Sequence, residues 1–217
     1  MGKKVAVVVG SLRKGSFSRM TIRGRNGQRF KDKWAEGPRT YLGLCANGFP
    51  NMFMIAQPGS PSIRSQVLVS IEQHVNWIGD LLTFMAGRGS AWVEAEPGAE
   101  DDWVAHVNEV ASMTLYPGCN SWYLGANVPG KTRVFMPLPG FPTYVEQCEH
   151  VAEDGYSGFS MKDPQGQDVL PTRLAGATLA ASQFQSPRSA ALKARFSRSA
   201  EACVRWWRRA LSMATAA

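Results

Sequence analysis

Phe49-Pro50-Asn51-Met52-Phe53-Met54-Ile55-Ala56, then Gln57-Pro58-Gly59-Ser60-Pro61-Ser62, then Ser70-Ile71-Glu72-Gln73-His74-Val75, decide how this chain is read. The first run is apolar and predicts a buried strand. The second is a turn set by Pro, Gly and Ser, and the third lies early in a long amphipathic helix. A strand that feeds a helix through small residues brings backbone N–H groups to the helix's positive end, where an electron-rich ligand is favoured. Over residues 66 to 86, Val67, Ile71, Val75, Ile78, Leu82 and Met85 make one stripe, with Glu72, Gln73, Asn76 and Asp80 off it and Ser62 or Ser65 as N-cap.

Working outward, Glu100-Asp101-Asp102 suits the positive end of a second helix, with Trp103, Val107, Val110 and Met113 or Leu115 facing inward. A third helix is predicted from Tyr144 to Asp154, turning Val145, Cys148 and Val151 inward. Between them, Pro117 to Pro142 is rich in Gly, Pro and Asn and predicts an ordered loop, a natural cover for a ligand.

These residues also carry a resemblance. Together with Trp34, Gly37-Pro38-Arg39-Thr40-Tyr41-Leu42-Gly43, Ala105-His106-Val107-Asn108-Glu109, Ser121-Trp122-Tyr123, Gly125-Ala126-Asn127-Val128-Pro129-Gly130-Lys131, Arg133-Val134-Phe135-Met136 and Gly155-Tyr156-Ser157-Gly158-Phe159, they resemble the C-terminal part of Baeyer–Villiger monooxygenases of the phenylacetone and cyclohexanone types. The resemblance covers about residues 21 to 160. It implies FAD and NADPH as cofactors and a ketone as substrate: NADPH reduces FAD, and the reduced flavin uses oxygen to make an ester or lactone. It also implies that the turn lies against the flavin ring, with Gly59, Ser60, Pro61, Ser65, Gln66 and Val67 at the matching positions. There the helix start favours negative charge on the N1/C2 carbonyl edge of the ring. Three positions depart from the family pattern: Gln57 stands for a usual Gly, Arg64 for a small or aliphatic residue, and Gln66-Val67 for Asn-Met. Trp122 matches a loop tryptophan whose indole N–H reaches the nicotinamide cofactor. Lys131 and Arg133 read as solvated surface charge, and His74 and His106 as polar helix positions.

Pyrophosphate is gripped where a G-x-G-x-x-G turn lets backbone approach closely, and no such pattern occurs in these 217 residues. The family's histidine-containing signature and catalytic arginine lie upstream of the matched region, so no catalytic residue is assigned. The expectation is a cofactor-binding wall without most of its dinucleotide-binding body, inactive alone.

The first twenty residues read differently. Lys3-Lys4-Val5-Ala6-Val7-Val8-Val9-Gly10 predicts a buried parallel strand, and Ser11-Leu12-Arg13-Lys14-Gly15-Ser16-Phe17-Ser18-Arg19 follows it. This pair resembles the opening of NAD(P)H-dependent FMN reductases of the flavodoxin-like fold. It implies that Ser11, Arg13, Ser16 and Arg19 wrap the FMN phosphate, with Ser18 where Asn is usual. An FMN-dependent quinone reductase is therefore the alternative function, and a non-enzymatic fusion product the third reading.

Residues 161 to 217 are rich in Ala, Arg and Ser. Pro164, Gly166, Pro171, Gly176 and Pro187 break their first half into loop or disorder, and a basic helix is predicted over about 188 to 213. The tail is expected to be an extension past the family's usual end, and the reading frame to join pieces of two genes.

Charge follows these divisions. The net charge of +7 divides into +9 over residues 1 to 33, −8 over 34 to 161 and +6 over 162 to 217. Basicity therefore belongs to the ends, and nucleic acid is not an expected partner. Cys45, Cys119, Cys148 and Cys203 lack C-x-x-C spacing, and His74, His106 and His150 lie far apart, which predicts reduced thiols and no zinc site. The apolar run after Lys3-Lys4 is too short for a signal peptide, and no stretch has the length to span a bilayer. The chain is expected to be cytoplasmic. The expected fold class is α/β: an incomplete fragment of an FAD-binding Rossmann-type domain with long helices and an ordered loop, a single flavodoxin-like N-terminal strand, and a helical or disordered tail. Two strands cannot rebuild a doubly wound sheet, so exposed apolar surface is expected to favour self-association.

Overall fold

The computed structural model describes residues 6–8, 21–61, 67–120, 124–126 and 140–169. The described elements run β1 (Ala6–Val8), α1 (Phe30–Lys33), β2 (Met52–Met54), α2 (Val67–Gly87), β3 (Trp92–Ala95), α3 (Pro97–Ser112), α4 (Phe141–Glu153) and β4 (Phe159–Lys162). β1 and β2 pair in parallel, Ala6 opposite Met52 and Val8 opposite Met54. β3 and β4 pair antiparallel, Trp92 opposite Lys162 and Ala95 opposite Phe159. Among the described residues the architecture is thus helices with two two-stranded sheets, α/β in the coarse sense expected.

The apolar run does form a buried strand: Met52, Phe53 and Met54 are all buried. Met52 and Met54 belong to a cluster with Phe30, Ala46 and Phe49, against which Ile22 and Trp34 pack. Asn51 locks this strand to the antiparallel sheet. Its amide donates to the Val93 carbonyl at 2.9 Å, and its Oδ1 accepts from the Val93 amide at 3.0 Å.

α2 spans nearly the predicted residues, but its buried line is a different one. Ser70, Gln73, His74, Trp77, Ile78, Leu81 and Met85 face inward, whereas Val67 and Val75 are 45% and 50% exposed. Of the expected stripe only Ile78 and Met85 are buried. Hydropathy misplaces the face because three inward positions, Ser70, Gln73 and His74, are polar, and His74 finds its partners in Ala56 and Tyr144. Trp77 follows the same rule, its indole donating to the Cys148 carbonyl of α4 at 2.8 Å.

α3 begins three residues before Glu100. Pro97 occupies its first turn, where the missing N–H is an orphan anyway. Trp103 and Val107 face inward as expected. The helix ends at Ser112, leaving Met113 and Leu115 75% and 91% exposed, so the inward positions read there are corrected to Ala111. α4 starts at Phe141 and buries Phe141, Tyr144 and Cys148, while Val145 and Val151 are half-buried. The strands at 92–95 and 159–162 were not expected. No helix of the described residues is long and apolar enough to cross a membrane. Predicted features of residues 9–20 and 170–217, and most of the 117–142 loop, lie outside the described residues.

Candidate functional site

The turn after β2 is built so that its carbonyls are consumed by the protein itself. The Gln57 carbonyl accepts from the Ser60 amide at 3.1 Å and from the Ser60 hydroxyl at 2.7 Å. Thr40 Oγ1 donates to the Pro58 carbonyl at 2.8 Å, and the Trp103 indole donates to the Gly59 carbonyl at 3.0 Å. In a planar trans peptide the N–H points opposite the carbonyl, so the Gly59 N–H is directed away from Thr40. Gly59 has φ +88, and a Cβ there would lie 2.7 Å from Thr40 Oγ1. Gly43 is equally confined: a Cβ on it would lie 2.6 Å from the Ser60 backbone nitrogen. Only glycine meets both the left-handed conformation and this close approach.

Behind the turn lies an arrangement that sequence reasoning missed. His74 is fully buried. The Ala56 amide donates to its Nδ1 at 3.2 Å, so Nδ1 carries no proton. Nε2 must then bear it and donates to Tyr144 Oη at 3.0 Å. The Tyr144 hydroxyl in turn donates to the Leu42 carbonyl at 2.8 Å. Burial lowers the His74 pKa from 6.5 to about 4, keeping the ring neutral. The same burial raises Tyr144 well above its ordinary value. His74 is therefore no surface position. The signal in the sequence was its spacing from Trp77, Leu81 and Met85 on one helical line.

The basic N-terminal segment reaches carboxylates of the acidic core. Lys33 Nζ lies 2.7 Å from Glu100 Oε2, and Arg25 lies 2.5 Å from Glu94. Both glutamates are buried. Asn47 bridges them, its amide donating to Glu100 Oε1 at 2.8 Å and its side chain donating to Glu94 Oε1 at 3.4 Å. Desolvation raises the Glu94 pKa, with Arg25 opposing it. Arg39 pairs with Asp101. The opposite charges of the two segments thus meet inside one fold, which accounts for part of the charge asymmetry without an external polyanion.

Of the residues singled out for cofactor contact, the structure brings Gly59, Ser60 and Pro61 together in the turn and puts Val67 in the first turn of α2. Ser60 and Pro61 are fully buried, so they shape the turn rather than present a side chain. Ser65, Gln66, Trp122, Ser11, Arg13 and Ser16 lie outside the described residues, as do Arg64, Lys131 and Arg133. A flavin edge fits what is described: a glycine backbone with no Cβ, an N–H directed away from Thr40, and the Gln57, Pro58 and Gly59 carbonyls already engaged. Cys45 and Cys148 are buried free thiols, with Cys148 pushed up to about 12 by burial.

No family model matches the chain. It is 37% identical over 149 residues to cyclohexanone 1,2-monooxygenase of Acinetobacter sp., covering 68% of this chain and 27% of that protein. It is 40% identical over 144 residues to a Baeyer–Villiger monooxygenase of Pseudooceanicola batsensis, covering 66% and 26%. Among solved structures, an oxidized steroid monooxygenase bound to NADP superposes with a TM-score of 0.61 at 44% identity, covering 66% of this chain and 26% of that one. OTEMO in complex with FAD and NADP superposes with a TM-score of 0.60 at 35% identity, covering 66% and 27%. The chain spans about a quarter of the length of the relatives it matches. These similarities favour the monooxygenase reading over the FMN reductase and fusion-product alternatives. Over about two thirds of its length, then, this chain matches part of a Baeyer–Villiger monooxygenase.

Proposed function

We propose that residues 21–160 form the flavin-facing wall of a Baeyer–Villiger monooxygenase, with residues 1–20 and 161–217 as separate flanking segments. The observation that carries this is the Gln57–Pro61 turn, in which the Gln57, Pro58 and Gly59 carbonyls are turned onto protein donors while the Gly59 N–H points away from Thr40. Gly59, Ser60, Pro61, Ser65, Gln66 and Val67 would hold one edge of the isoalloxazine ring, and Trp122 would meet the nicotinamide of NADPH. When bound, FAD supplies the transfer of reducing equivalents from NADPH to oxygen that converts a ketone into an ester or lactone.

The residues of this chain have supporting roles in that chemistry. Thr40 and Trp103 fix the turn's carbonyls, which orients the Gly59 amide. The positive end of α2 favours negative charge at the ring's N1/C2 carbonyl edge. No residue is assigned to proton transfer or to the reacting oxygen.

By themselves these 217 residues are expected not to turn over, because their sequence holds no pyrophosphate-gripping fingerprint. The test is NADPH oxidation and ester formation from cyclohexanone and phenylacetone by the full chain with added FAD. The expected result is no ketone-dependent NADPH consumption. NADPH oxidised in step with ester would overturn the reading of an incomplete wall.

A further inference from the structure

We propose that His74 and Tyr144 are positioning residues for the flavin-facing turn, forming one buried bar that fixes the backbone on both sides of it; the inference rests on the function proposed above. The bar runs in one direction, from the Ala56 amide to His74 Nδ1 at 3.2 Å, between His74 Nε2 and Tyr144 Oη at 3.0 Å, and from the Tyr144 hydroxyl to the Leu42 carbonyl at 2.8 Å. Each donor is used once, and each proton position follows from the one before it.

Both ends of the bar grip strained backbone. Ala56 has φ +54 and Leu42 has φ +55. Residues other than glycine avoid this region and persist there only when the surroundings over-determine them. Ala56 is the residue that enters the Gln57–Pro61 turn. Leu42 precedes Gly43, whose Cα sits so close to Ser60 that no side chain fits between them. One bar therefore sets the entry of the turn and the wall against which it rests.

A core that only needed filling would be served by leucine and phenylalanine at these positions. Polar groups so deeply buried are retained at a cost unless every one is bonded. Here their bonds lead to the two strained residues that flank the turn.

The test uses the full chain, labelled with 15N. In the wild type, His74 nitrogen shifts are expected to show a proton on Nε2 and none on Nδ1 at pH 7. His74→Leu is expected to speed amide exchange of Ala56 about tenfold relative to the Leu81 amide of the same helix. His74→Asn, which returns an acceptor near the Nδ1 position, restores it. Tyr144→Phe keeps the ring but releases Leu42, and is expected to move the Gly43, Gly59 and Ser60 amide resonances while Leu81 stays put. The outcome that sinks the proposal is a proton on Nδ1, or Gly59 and Ser60 resonances unmoved by Tyr144→Phe. Wild-type tautomer and Tyr144→Phe shifts decide the matter even where His74→Leu does not fold. FAD is then added to wild type and Tyr144→Phe. If these signatures appear but FAD moves no resonance of the wild-type turn, the flavin reading fails while the bar stands. If FAD moves the turn equally in both proteins, the bar does not position it for flavin.

Discussion

Acidification should weaken this fold through one histidine, by an amount the structure sets. His74 has its pKa lowered by burial from 6.5 to about 4. The unfolded chain therefore binds a proton that the native chain refuses, and stability falls as pH drops through this window. A separation of about 2.5 units is worth about 3.5 kcal/mol in full at about 1.4 kcal/mol per unit, and about 2 kcal/mol of it should be lost between pH 7 and pH 5. Asp80 and Glu94 work the other way, since burial raises both carboxyls and the native state takes up their protons first. They respond alike in a His74→Asn variant, which has nothing to titrate at this position. The assay is urea unfolding followed by tryptophan fluorescence at pH 7, 6 and 5, for wild type and His74→Asn. The wild type should lose about 2 kcal/mol more than the variant over this range. Parallel pH profiles would refute the assignment of a buried neutral imidazole.

Three other outcomes follow from the packing. Trp103→Phe strands the Gly59 carbonyl and shrinks a buried ring, so urea unfolding should show a loss of about 2–4 kcal/mol. Gly158→Ala puts a methyl 2.7 Å from Ala99 Cβ and 2.8 Å from the Tyr41 ring at φ +79, and should cost about 2–4 kcal/mol in the same measurement. Leu68 is 71% exposed beside the exposed Val67, and Leu68→Glu should leave stability within about 0.5 kcal/mol. In sedimentation velocity the same substitution should shift any self-associated species toward monomer, and an unchanged distribution would rule out this face of α2 as the contact.

The strand and helix were legible because their signals are local: Met52 to Met54 form an uninterrupted apolar run, and α2 runs for 21 residues without a Pro. The face of α2 was misread, because the apolar line through Val67 and Val75 outweighs the spacing of His74 with Trp77, Leu81 and Met85. His74 becomes a core residue through Tyr144, seventy positions away, and no periodicity of Val67 and Val75 reveals that. β3 and β4 are four residues each and far apart in sequence, so the alternation of Phe159 and Met161 is too short to announce a strand. At the site, Pro58, Gly59 and Ser60 marked a turn, and Trp103 was read as inward. That its indole closes on the Gly59 carbonyl is a fact of tertiary placement, as is the pairing of Lys33 with Glu100.

The most direct test of the account is a titration of the full 15N-labelled chain with FAD at neutral pH, following backbone amides and tryptophan indoles. The account predicts weak, saturable shifts centred on Gly59, Ser60 and the Trp103 indole. Shifts confined to Ser11, Arg13 and Ser16, or none at the turn, would contradict it.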